Sequence, residues 1–122
     1  LINRRTTVSN DTKPTQAAPQ VEDLKTLLSY QPQAIVSRML VKNSGGSVTL
    51  FAFEGGEGLS EHTAPFDALV IGVEGSADIM VAGQHYQVAE GQSLLMPANI
   101  PHAVHPQGRF KMLLVMIKEV KN

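Results

Sequence analysis

Gly58-Leu-Ser-Glu-His62-Thr-Ala64-Pro65-Phe66-Asp67-Ala68, and further along Gly91-Gln-Ser-Leu-Leu-Met96-Pro97-Ala-Asn99-Ile-Pro101-His102, are the segments whose reading decides how this chain folds. Each carries one histidine among glycines and prolines, and each is flanked by runs that read as short strands. Ala68 to Val73 leads out of the first segment towards Glu74-Gly75. Ala77 to Val81 and Tyr86 to Val88 fill the interval, Ser93 to Met96 and His102 to Val104 belong to the second segment, and Phe110 to Ile117 follows. Ala82-Gly83-Gln84, Glu90-Gly91, Pro97-Ala-Asn99 and Gln107-Gly108 separate them as turns. Short strands punctuated in this way predict an antiparallel sandwich or barrel.

The pattern continues upstream. Ile35 to Lys42 alternates and passes through Asn43-Ser-Gly45-Gly46 into Val48 to Phe53, which predicts a hairpin. Before it, Val21, Leu24, Leu27 and Leu28 lie at helical spacing with acids in the first turn, so a short helix is expected over about 21–30, ended before Pro32. Residues 1–20 are polar, carry Pro14 and Pro19, and read as a flexible arm before a barrel domain at 21–122. Gly55-Gly56-Glu57-Gly58 reads as a plain loop: no Lys-Ser/Thr and no helix follows it, as phosphate binding would require.

Composition narrows the function. The 122 residues make one domain, 43 % of them apolar, with a net charge of −1 and no basic patch to draw nucleic acid or an anionic membrane. Cysteine is absent, which removes thiolate nucleophiles, disulfides and Cys-based metal sites, and suits a reducing cytoplasm. No apolar run approaches the roughly 18 residues of a bilayer span, and the start of the chain has no apolar signal-like stretch, so a cytoplasmic location is expected. No serine sits in a Gly-x-Ser-x-Gly elbow.

The two opening segments resemble the two motifs of the cupin family. In that family the first motif places a histidine thirteen residues before a closing glycine, met here by His62 and Gly75. The second runs from glycine to proline to histidine, met by Gly91, Pro97 and His102. The resemblance spans about 35–117 and implies an all-β fold, an antiparallel double-stranded β-helix (a cupin or jelly-roll barrel), with a short N-terminal helix added. It also implies a divalent metal (zinc, nickel, iron or manganese) held by three histidines and a glutamate. Here the departures begin. The second histidine of the first motif falls on Ala64 and the glutamate on Ala68, while Asn99 stands for a glycine and Pro106 for an asparagine. Asn is a mild exchange, because it tolerates left-handed backbone angles. The two alanines leave a site that needs three or four donors with only two imidazoles.

Three readings stay open. His62 and His102 hold a weak divalent metal, helped by water or a donor outside the motif. Or they line a metal-free pocket as hydrogen-bonding or proton-shuttling groups. Or they are structural. If His62 faces inward with no bulge, Ala64, Ala68, Val70 and Gly72 share its face, and Val104 shares that of His102, which predicts a small-molecule pocket widened by small side chains. Asp67 adjoins the lost glutamate but alternation points it away, unless Pro65 introduces a bulge. Glu61, His85 and His105 read as solvated, and the five methionines as adaptable core or subunit contact. The last strand is apolar on both faces, Phe110, Met112, Leu114 and Met116 against Leu113, Val115 and Ile117, so a homodimer is expected. The leading expectation is a small-molecule-binding cupin. A metal-dependent dioxygenase or isomerase and a non-catalytic interaction or storage module are the alternatives, and no catalytic residue is named.

Overall fold

The structure is a computed structural model that describes residues 18–118. Most of the expected arm, residues 1–17, lies outside the described residues, as do 119–122. Among the described residues nine strands form two antiparallel sheets. β1 (Ile35–Asn43), β2 (Gly46–Phe53), β9 (Phe110–Lys118), β4 (Phe66–Glu74) and β7 (Ser93–Met96) lie side by side in that order. β3 (Leu59–His62), β8 (His102–Pro106), β5 (Ser76–Val81) and β6 (Gln84–Ala89) make the second sheet. The all-β barrel expected from the sequence is thus the fold observed. Among the described residues no helix is long and apolar enough to cross a membrane.

Between the sheets lies one core, in which Phe53, Val70, Ile79, Val104, Phe110 and Met112 are at most 1 % exposed. Directly opposed residues on antiparallel neighbours point to the same side of a sheet. Phe53 opposes Phe110, and Ala68 opposes both Met96 and Met116, so this side faces the core. The two apolar faces of β9 divide accordingly. Phe110 and Met112 are buried inside, while Leu113, Val115 and Ile117 line the outer face.

The expected hairpin closes at Ser44-Gly45, where the Asn43 side chain accepts the Gly45 N–H at 2.7 Å. Gly75 joins β4 to β5 and carries the chain from one sheet to the other with φ +77°. A Cβ there would stand 2.2 Å from the Arg109 carbonyl oxygen, which explains why the first motif closes on glycine.

Two elements differ from expectation. The helix is a single turn, α1 (Leu24–Leu27), with Asp23 as N-cap accepting from the Lys25 N–H at 3.0 Å. Leu28 is already extended, and Val21 is fully exposed. A turn this short has little stability of its own and is held by what it touches. Lys111 bonds the Lys25 carbonyl, and Tyr30 donates to Glu74 at 2.6 Å while Arg109 and Lys111 lie against its ring. Burial and the hydrogen bond to Glu74 hold the Tyr30 hydroxyl well above its ordinary pKa. These contacts pin the N-terminal segment over one end of the large sheet's outer face. The second difference is β3, which Leu59-Ser-Glu-His62 does not announce because it has no apolar alternation.

Candidate functional site

His62 is the last residue of β3 and His102 the first of β8, and the register pairs them directly. Their ring centroids are 4.4 Å apart, with the planes at 69°. The two halves of the site therefore meet. How His62 comes to face its partner depends on an irregularity the sequence does not reveal. Leu59 opposes Val104 and His62 opposes His102, with the register shifting between Leu59 and His62. In a regular strand two residues three apart point to opposite sides. The bulge at Ser60-Glu61 turns His62 to the same side as Leu59, which packs against the core, so the imidazole is re-aimed by backbone geometry.

Each ring is also fixed in orientation. Nδ1 of His62 lies 2.7 Å from the Ser60 carbonyl oxygen, and Nδ1 of His102 lies 3.0 Å from that of Ile100. A carbonyl can only accept, so in both neutral rings the proton sits on Nδ1 and the lone pair on Nε2. Two Nε2 acceptors are thereby available to a ligand or, after protonation, as donors. His102 is 5 % exposed and His62 is open to solvent, which places the pair across the boundary between core and mouth.

The remaining predicted residues fall into two groups. Val70, Val104 and Ala68 are in the packed core, at 0 %, 1 % and 3 % exposure, and Met96 opposite Ala68 is at 2 %. A long thioether thus takes up the room beside the small alanine. Gly72 is also buried, and a Cβ there would stand 2.2 Å from the Ala89 carbonyl oxygen. Ala64 lies in the link between β3 and β4, where its carbonyl accepts the Asn99 N–H at 2.8 Å. Asn99 has φ +64°, the left-handed conformation for which glycine or asparagine is suited. Asp67 accepts the Ala98 N–H at 2.9 Å and so ties down the turn before His102 instead of joining the histidines. His105 is exposed, and His85 is exposed and paired with Asp78 at 2.8 Å.

No three His, Asp or Glu side chains come together in a metal-holding group among the described residues. The donor set therefore does not fit the centre of three histidines and a glutamate, and the reason is the two alanines. Sequence reasoning did not find the cavity of about 510 Å³ at the same end of the barrel, lined among others by Lys42, Phe66, Met116 and Lys118.

A double-stranded β-helix with two histidine-bearing motifs meeting at one mouth defines a class of barrel proteins, and the comparisons give it a family. Residues 49–118 match the Cupin domain, and the chain belongs to the cupin family. A protein of unknown function from Streptococcus pyogenes is 36 % identical, with 84 % of this chain and 90 % of that one covered and a TM-score of 0.79. A cupin 2 conserved barrel domain protein from Leptotrichia buccalis is 41 % identical over 77 % of this chain but only 46 % of its own, with a TM-score of 0.74. A cupin superfamily protein from Desulfitobacterium hafniense is 29 % identical over 83 % and 94 % of the two chains, with a TM-score of 0.78. No curated protein matches the sequence.

Proposed function

We propose that this cupin binds a small molecule at the mouth of its barrel through Nε2 of His62 and Nε2 of His102. One observation carries the reading: the rings stand 4.4 Å apart with each Nδ1 engaged by a backbone carbonyl. Two oriented acceptors at one edge of an apolar core match the usual design of a ligand site, a mostly apolar wall with few placed polar groups. The metal-dependent dioxygenase or isomerase reading requires at least one further donor. A divalent ion held by these two imidazoles alone would take its other ligands from water and bind weakly.

The test is a thermal-shift screen of small organic molecules on the full chain and on a His62→Ala, His102→Ala variant, with elemental analysis of protein purified without a His tag. Compounds that stabilise the parent should lose their effect on the variant. Equal stabilisation of both proteins would end the binding reading, and near-stoichiometric metal lost in the variant would favour the enzyme.

Self-association belongs to the same proposal. Val41, Leu95 and Ile117 are 53 %, 55 % and 57 % exposed and share the outer face of the large sheet with Leu69 and Val115. Among the described residues the N-terminal segment is held at the Lys111 end of that face. A contiguous apolar face of this kind favours burial against a second copy. Sedimentation should give a dimer for the parent and a folded monomer for Ile117→Asp; a monomeric parent refutes it.

A further inference from the structure

The largest departure from regular geometry in the first hairpin builds a second feature at the His62 end of the barrel. β1 opposes β2 through Met39–Thr49 and then Val41–Val48, with Leu40 left over as a bulge. Beyond it Lys42 opposes Ser47, Ser47 opposes Met116, and Met116 opposes Ala68. That rung lies on the side of the sheet that faces the core, because Ala68 is a core residue. Thr49 is on the same side, so Met39 and Lys42 point inward together although they are three residues apart. In an unbroken strand Lys42 would face out. The bulge at Leu40 turns Lys42 to the core-facing side of the sheet, where it stands exposed at the end of the strand. On the opposite flank Phe66 opposes Lys118, one step beyond the Ala68–Met116 pair, so Lys118 is brought to the same side.

These residues line the 510 Å³ cavity. Met39, Phe66 and Met116 give it apolar surface, Lys42 and Lys118 give it charge, and the hairpin residues Asn43, Ser44, Gly46 and Ser47 complete it. Among the described residues no carboxylate lines it, and neither lysine has an ion-pair partner. Two cations thus stand beside a thioether and aromatic surface with no acidic partner among the described residues, in a chain whose acids and bases nearly balance. The volume is within the range of roughly 300–1,000 Å³ that small organic ligands occupy. Lysines at a low-dielectric wall attract an anion, and polarizable methionines adapt to an apolar body of variable shape.

We propose that this cavity is a binding site for an amphipathic organic carboxylate: the carboxylate lies between Lys42 and Lys118, and an aromatic or branched apolar body lies on Met39, Phe66 and Met116. Phosphate is a poorer fit, since the cavity offers no helix N-terminus among the described residues and phosphate would leave the surface of Met39, Phe66 and Met116 uncovered. The site stands apart from the histidine pair, neither member of which lines it, so it does not depend on the function proposed above.

The probe is 2-naphthoate, titrated into the full chain at low salt and followed by fluorescence anisotropy, with neutral 2-naphthalenemethanol as control. Saturable binding of the acid is expected, with the alcohol much weaker. Lys42→Gln combined with Lys118→Gln should weaken the acid by about tenfold or more, the scale of lost hydrogen bonds to a charged group. Lys42→Arg with Lys118→Arg should stay within about threefold, since the charge is kept. Both positions are exposed, so these variants keep their fold. His62→Ala with His102→Ala should leave naphthoate affinity unchanged, which separates this site from the histidine reading. The proposal is overturned if the glutamine variant binds the acid as the parent does, if the alcohol binds as tightly as the acid, or if inorganic phosphate displaces naphthoate at equal concentration.

Discussion

Phe53→Ala lowers the stability of this barrel by about 3–5 kcal/mol, the range for deleting a fully buried aromatic ring. Phe53 is 0 % exposed, and its ring lies 5.8 Å from Phe51 and 5.9 Å from Phe110 in stacked geometry. It opposes Ile35 on one side and Phe110 on the other, so the side chain ties three adjacent strands together from within. Truncation removes the transfer free energy of the ring, both aromatic contacts, and the support they give to neighbours that cannot collapse inward because their strands are hydrogen-bonded in place. For a domain of about 100 residues this corresponds to a fall in Tm of roughly 15–30 °C, a large part of the 5–15 kcal/mol that typical domains possess. Phe53→Leu should cost far less because most of the volume is kept. Urea and thermal unfolding followed by circular dichroism measure both, and a loss below about 1 kcal/mol for the alanine variant would show that the ring is not in the core.

Phe53 and Phe110 are also the residues in which the fold was most legible. Where apolar side chains recur at period two, pattern and structure agree, as at Ala77, Ile79 and Val81, which are buried along β5. The chemistry of the turns is local: Asn43 caps Ser44-Gly45 and Gly75 takes a positive φ, and both follow from residue type alone. The two histidines were legible as motif residues, and the geometry that brings them together was not. The spacing of His62, Gly75, Gly91 and His102 points to one family, but what aims His62 is a bulge at Ser60-Glu61, and bulges leave no period in a sequence. Lys42 escaped notice for the same reason. A lysine near the end of an edge strand reads as a solvated charge, and only the register shift at Leu40 turns it inward. The expected widening around Ala68 failed to anticipate Met96, because opposition across two strands far apart in sequence is a tertiary fact.

That pairing sharpens the last prediction. Ala64→His combined with Ala68→Glu restores the two donors the cupin pattern places at these positions. With His62 and His102 already presenting Nε2, the variant would offer three imidazoles and one carboxylate, a full donor set for zinc or nickel. Zinc and nickel affinity should rise by about 100-fold or more over the parent, since displacing even a partner of a ligand costs 10–100-fold at such sites. The metal-free variant should be less stable than the parent, because the introduced carboxylate would stand among core residues, at a position where Ala68 is now 3 % exposed and opposed by Met96. Metal should reverse this: its Tm should climb with zinc concentration, as mass action requires of a ligand that binds only the folded chain, while that of the parent stays nearly flat. Removing His62 or His102 from the four-donor variant should abolish the gain. An affinity no higher than that of the parent, or one that survives loss of either histidine, would show that the barrel does not bring the four positions to a common point, and the pairing of the two motifs would then be a feature of strand register alone.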